Sequence, residues 1–131
     1  MADPNGRPVG ATFLRNNLNK QSLAIDLKHP EGVDLVLHLA QRFDVFGENF
    51  RAGTADRLGI GYEAVRATHP AVVYLSISGF GQDPASPYRD MGAYAAIVEG
   101  MSGSYEYKRA PGRPPAANPV GALGDISSAL F

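Results

Sequence analysis

Val72-Val73-Tyr74-Leu75-Ser76-Ile77 is the run that most narrows what this chain can fold into. It is β-branched and nearly continuous in apolar residues, as expected for a strand buried in a parallel sheet. Parallel neighbours require a crossover connection, and the preceding sequence alternates strand and helix signals. Ser22-Leu23-Ala24-Ile25-Asp26-Leu27 reads as a strand with Leu23, Ile25 and Leu27 on one face. His29-Pro30-Glu31-Gly32 opens a helix, with Pro at a first-turn position where its missing N–H costs little. Val33, Val36, Leu37 and Ala40 then recur at i, i+3, i+4 and i+7. Leu35 and Leu39 widen that stripe, so the helix is expected to be largely covered. Asp44 to Phe50 reads as a short strand running into a loop. Ala55 to Leu58 and Tyr62 to Thr68 read as short helices around Gly59-Ile60-Gly61, closed by Pro70. The order strand, helix, strand, helix, strand predicts an α/β layer with a three-stranded parallel sheet.

Around this centre the signals are weaker. Residues 1–20 are dense in Pro, Gly and Asn and read as loop. After Gly79-Phe80-Gly81 comes a loop with Pro84 and Pro87, then a helix from Ala93 to Met101. Residues 104–119 are irregular and carry an unusual Tyr105-Glu106-Tyr107. Gly121 to Phe131 begins another helix, ending on Ala129-Leu130-Phe131 without a C-cap. Three strands bury little apolar surface and the last helix lacks a cap, so the pattern predicts a truncated domain.

Composition excludes several functions. At 44% hydrophobic and 19% charged residues the chain is globular in character. A net charge of -1 gives no global field toward nucleic acid or an anionic membrane, and neither is expected as a partner. Cysteine is absent, which removes disulfides, thiolate nucleophiles and Cys-based zinc sites. No apolar run has the length of a transmembrane helix, and Met1 to Gly6 lack a signal-peptide core. A cytoplasmic protein is expected. His29, His38 and His69 lack ligand spacing, so no metal is expected. Gly59-Ile60-Gly61 follows a helix and lacks the third glycine of a dinucleotide fingerprint, so it reads as a turn. Ser76 and Ser78 lie in no G-x-S-x-G elbow and read as strand serines.

Two stretches could carry chemistry. Asn49-Phe50-Arg51-Ala52-Gly53, followed by Arg57, sets two cations beside a glycine turn directly after a strand. Loops beyond strand C-termini bind ligands in open α/β sheets, and arginine forks suit pyrophosphate. A solvated surface loop is an equal reading of the same residues. Asp125 follows Gly124 at the start of a helix, where backbone N–H groups favour an ionised carboxylate. Such a carboxylate can attack an acyl group, but Asp is also a common N-cap, and local physics favours the cap.

Taken in order, these stretches resemble one family. Asn17-Leu18-Asn19-Lys20-Gln21-Ser22-Leu23-Ala24-Ile25-Asp26-Leu27-Lys28 is similar to the "NxNKxSxxLDLK" segment of family III CoA-transferases, and Pro30-Glu31-Gly32 follows it. Asp44-Val45 with Glu48 to Gly53 resembles "DVxxENFRPG", and Arg57-Leu58-Gly59 resembles "RLG". Pro70 through Gly81, ending Ser76-Ile77-Ser78-Gly79-Phe80-Gly81, resembles "NPxxxxxSxSGFG". Tyr94 and Ser102-Gly103 match the next helix, Gly124-Asp125 matches the nucleophile motif, and Asp3-Pro4 looks like the family's "GDPxR".

The resemblance implies that residues 1–131 are part of a Rossmann-like large domain with a parallel sheet, truncated at both ends, with the small domain absent. It implies a parent enzyme, an interlocked homodimer, that moves CoA from an acyl-CoA to a carboxylic acid acceptor. Asp125 would be the nucleophile. Coenzyme A, as acyl-CoA substrate, would be bound by Ile25, Asp26, Leu27, Lys28, Asn49, Phe50, Arg51, Arg57 and Tyr94. The piece alone would be inactive. Ala52 replaces the usual Pro, Ala95 stands where many members have an acid, and Glu99 stands where Gln is common. The related α-methylacyl-CoA racemases need a His on the helix that here carries Tyr94, which favours transfer over racemisation. A non-catalytic CoA-binding fragment is the third reading.

Overall fold

Two strands organise the molecule. β1 (Val45–Glu48) and β2 (Val73–Ser76) pair in parallel, with Val45 opposite Val73, Phe46 opposite Tyr74, Gly47 opposite Leu75 and Glu48 opposite Ser76. The computed structural model describes residues 5–107, 109–115 and 123–130. The helices are α1 (Ala11–Asn16), α2 (Pro30–Ala40), α3 (Thr54–Arg57), α4 (Tyr62–Thr68), α5 (Ala95–Met101) and α6 (Leu123–Leu130). α3 and α4 form the crossover that parallel pairing demands. Among the described residues no helix is long and apolar enough to cross a membrane.

One face of the strand pair is covered by aromatic packing. The Phe46 and Tyr74 rings stack at 5.3 Å between centroids, and Tyr62 of α4 meets Tyr74 edge-on at 5.7 Å. The Tyr74 hydroxyl donates to the Ile60 carbonyl at 3.1 Å. Ala40, Ala52, Ala55, Ile60 and Val65 form the buried core, where α2 and α3 pack on α4. Burial of Tyr74, reinforced by the nearby Glu48 and Asp56 charges, raises its phenol pKa above the ordinary range.

Four expectations change. The β2 run is not buried on both faces, because Val73 and Leu75, which point away from α4, are exposed. The crossover helix covers one side, and the other opens onto the cavity described below. Residues 22–27 form no strand, so the described sheet has two strands rather than three. Their alternation needs a pairing partner; instead residues 22–26 run without regular structure into a turn at Leu27-Lys28, with Asp26 accepting the Lys28 amide at 2.9 Å and the His29 amide at 3.2 Å. α1 interrupts the N-terminal loop, and its last carbonyls are met by Asn17 Nδ2 on Phe13 at 2.8 Å and Lys20 Nζ on Asn16 at 2.6 Å. α2 is less covered than its stripe suggested: Ala40 alone is buried and Leu35 is exposed. Asp3-Pro4, the start of the last helix at Gly121 and its end at Phe131 lie outside the described residues.

Candidate active site

The site is built where both strands end. Glu48 closes β1, and its Oε2 accepts the Phe50 amide at 2.7 Å. Its Oε1 accepts the hydroxyl of Ser76, the residue paired with it on β2. Ser76 Oγ in turn accepts from Gln82 Nε2 at 2.8 Å, and Gln82 Oε1 accepts the Gly53 amide at 3.3 Å. These bonds tie the strand ends to the loop 49–53. Ser76 is therefore a strand serine engaged with a carboxylate. Sequence reasoning missed Glu48 and Gln82. The signal for Glu48 was a carboxylate placed two residues before a loop amide; Gln82 carried none.

Arginines converge on this loop. A Cβ on Gly53 would stand 3.0 Å from Arg89 Nη2 and 3.6 Å from Arg57 Nη1. Gly53 caps α3 at φ 71°, a left-handed conformation that favours glycine. Arg57 donates from Nη2 to Thr54 Oγ1 at 2.8 Å. The Arg89 Nε is buried without a partner among the described residues, and its Nη1 stands 3.7 Å from Asp90. Arg51 and Arg89, with Phe50 and Tyr94, line a cavity of about 220 Å³. Clustered guanidinium forks with an unsatisfied N–H are suited to a phosphate or another oxyanion. Arg89 was also missed, because it lies in a Pro-containing stretch with no periodic pattern.

A larger cavity of about 690 Å³ adjoins the first and shares Asn49, Ser78, Gly79 and Ala93 with it. Gly79 permits this junction, because a Cβ there would sit 1.6 Å from the Ala93 Cβ. Leu75 and Ile77 form its apolar floor, Val98 of α5 lines it, and Asp125 of α6 lines it as well. Asp125 lies in the first turn of α6 and is exposed. It is not the cap of that helix. The Leu123 and Gly124 amides donate to Oε1 of the buried Glu99, at 2.9 and 3.4 Å. The Tyr105 hydroxyl donates to Glu99 Oε2 at 3.0 Å. Desolvation, then the hydrogen bond and charge of Glu99, raises the Tyr105 phenol pKa.

Of the residues singled out from sequence, Asn49, Phe50, Arg51 and Tyr94 line the smaller cavity, and Asn49 and Asp125 line the larger. Arg57 stands behind the loop, beside Gly53. Ile25, Asp26, Leu27 and Lys28 line neither cavity. They pack on the start of α2, where a Cβ on Gly32 would meet the Asp26 carbonyl oxygen at 2.2 Å. His29 pairs with Glu31 at 3.2 Å. The cleft thus holds cations in one part and a carboxylate in the other, beyond the C-terminal ends of parallel strands. An anionic molecule fits the cationic part of that distribution.

Comparison with known proteins agrees with the sequence resemblance. The profile of CoA-transferase family III matches residues 2–131. Succinyl-CoA--D-citramalate CoA-transferase of Chloroflexus aurantiacus is 40% identical over 113 residues, which is 86% of this chain and 27% of that protein. Formyl-CoA:oxalate CoA-transferase of Streptomyces avermitilis is 36% identical over 119 residues, covering 90% of this chain and 28% of the relative. A CAIB/BAIF family protein from Brucella suis superposes with a TM-score of 0.80 at 31% identity, over 99% of this chain and 36% of that one. The chain therefore spans about a quarter to a third of the length of these relatives. With its parallel α/β core and its cleft of arginines and carboxylate, the chain belongs to CoA-transferase family III.

Proposed function

We propose that this chain supplies the CoA-binding cleft and the nucleophile of an enzyme that moves CoA from an acyl-CoA to a carboxylic acid. The observation that carries this reading is the continuity of the cleft. The arginine-lined cavity and the Asp125 cavity share four residues, so one thioester substrate could reach both. Arg51 and Arg89 would hold phosphates, with Arg57 adding positive potential from behind Gly53, and Phe50 and Tyr94 would flank the bound chain.

An Asp125 carboxylate oxygen attacks the thioester carbonyl. A C–O bond forms, the C–S bond breaks, and CoA leaves as thiolate from a mixed anhydride. The thiolate then attacks the aspartyl carbonyl, releasing the donor acid and leaving an aspartyl-CoA thioester. The acceptor carboxylate attacks that thioester, expelling the thiolate and forming a second anhydride. Attack of the thiolate on the acceptor's acyl carbon gives the new acyl-CoA and restores Asp125. No proton or further reactant is needed.

The relatives are three to four times longer, so the 131-residue chain by itself is inactive on this reading. The active form is a homodimer, as the family resemblance suggests, and a cytoplasmic one, as the composition leads us to expect. Mass spectrometry of the complete protein after incubation with succinyl-CoA is the test. An adduct on Asp125, lost in Asp125→Ala with CoA binding retained, is the expected result. An adduct that survives in Asp125→Ala overturns the assignment.

A further inference from the structure

Glu99 is the one buried charged side chain among the described residues, at 5% exposure. No step of the proposed reaction uses it. Burying a carboxylate is costly unless donors replace its water. Three donors do so here: the amides of Leu123 and Gly124 at 2.9 and 3.4 Å, and the Tyr105 hydroxyl at 3.0 Å. The two amides lie in the first described turn of α6, which among the described residues offers them no acceptor. Glu99, on α5, therefore caps α6 from a neighbouring helix. α5 and α6 pack closely here, since a Cβ on Gly124 would stand 3.6 Å from Val98, an ordinary contact that does not itself require glycine. Asp125 follows immediately. Tyr105 comes from the Tyr-Glu-Tyr segment, to which the sequence pattern gave no role.

We propose that Glu99, oriented by Tyr105, is a positioning residue for Asp125. It fixes the first turn of α6 and thereby the direction from which the Asp125 carboxylate enters the cleft. The kinetic consequence rests on Asp125 being the nucleophile; the structural consequence does not. Attack geometry tolerates little displacement, and a shift of about 1 Å can cost on the order of a hundredfold in rate. Gln keeps an acceptor of the same reach for both amides, and its NH₂ can donate to the Tyr105 oxygen. Ala keeps neither.

The test compares Glu99→Ala, Glu99→Gln and Tyr105→Phe in the complete protein, with succinyl-CoA as probe. Glu99→Ala should slow acylation of Asp125 by roughly tenfold to a hundredfold, with the dissociation constant for succinyl-CoA unchanged. Glu99→Gln should restore acylation to near the parent rate, a rescue that loss of a structural charge would not give. Amide exchange at Leu123 and Gly124 should speed up in Glu99→Ala and stay slow in Glu99→Gln. Tyr105→Phe should slow acylation without weakening binding, which keeps the question open to experiment if Glu99→Ala does not fold. Parent-like acylation in Glu99→Ala, equal impairment in Glu99→Gln, or unchanged exchange would each overturn the role. Parent-like acylation in Tyr105→Phe removes Tyr105 from it. If the parent forms no adduct on Asp125, the nucleophile assignment fails instead, and exchange at α6 alone decides for or against Glu99.

Discussion

Glu48 and Phe50 stand two residues apart, and the carboxylate of the first holds the amide of the second at 2.7 Å. The same carboxylate accepts the Ser76 hydroxyl, so one side chain joins both strands to the loop that carries Arg51. Glu48→Ala should leave the fold largely intact while loosening residues 49–53. KM for acyl-CoA should rise on the order of tenfold, matching the loss of a charge-assisted hydrogen bond worth about 1.5–3 kcal/mol. Steady-state kinetics of the complete protein reads this, and an unchanged KM removes Glu48 from loop support.

Arg89 has a buried Nε with no partner among the described residues and lies over Gly53 beside Arg51's cavity. Arg89→Ala should weaken acyl-CoA binding about tenfold, and Arg89→Lys should recover part of it, because an ammonium lacks the planar fork. Calorimetry at low and high salt is the measurement. The parent should show the steeper salt dependence.

Tyr74 gives the fold an alkaline limit. Its folded pKa is raised by burial and by the Glu48 and Asp56 charges, so the folded state holds the proton more tightly than the unfolded chain. Stability is then complete below the ordinary tyrosine value of about 10 and falls as pH rises through the folded value. Denaturant midpoints measured across that range should drop for the parent. Tyr74→Phe should be somewhat less stable at neutral pH, having lost its bond to Ile60, and should fall less steeply than the parent in the alkaline range, where the raised Tyr105 phenol still contributes.

Val65 is fully buried at 0% exposure, in the small core between α2, α3 and α4. Val65→Ala should cost about 1–3 kcal/mol through lost burial and a residual cavity. Chemical denaturation should show a lower midpoint with an unchanged slope.

Local pattern carried the central elements well. The helix expected from Tyr62 to Thr68 has those bounds, and the strands expected within 44–50 and 72–77 are β1 and β2. These segments are defined by periodicity, turn residues and β-branching, all of which act over a few positions. The segment 22–27 failed because a strand exists only with a partner, and pairing is not written in one segment. Asp125 illustrates the same limit. Residue frequencies favour Asp as a cap, whereas the cap of α6 comes from Glu99, 24 residues before Leu123 in the chain. Arg89 and Gln82 act through contacts distant in sequence, so no motif announced them, and Glu99 stood out only as a departure from the family pattern.

The pairing of Glu48 with Ser76 has a consequence for how such a chain can vary. Both segments leave the sheet at the same level, which is why Asn49 and Ser78 line the same space. Strand side chains alternate, so a shift of one residue in either strand would turn Phe46 or Tyr74 away from its aromatic stack. The same shift would move Leu75 or Asn49 off the floor and rim of the cleft. A single-residue insertion or deletion within 45–48 or 73–76 is therefore a change of binding surface as well as of packing. A length change at the exposed Pro70-Ala71 turn of the crossover leaves both untouched, and variation in this part of the fold should concentrate there.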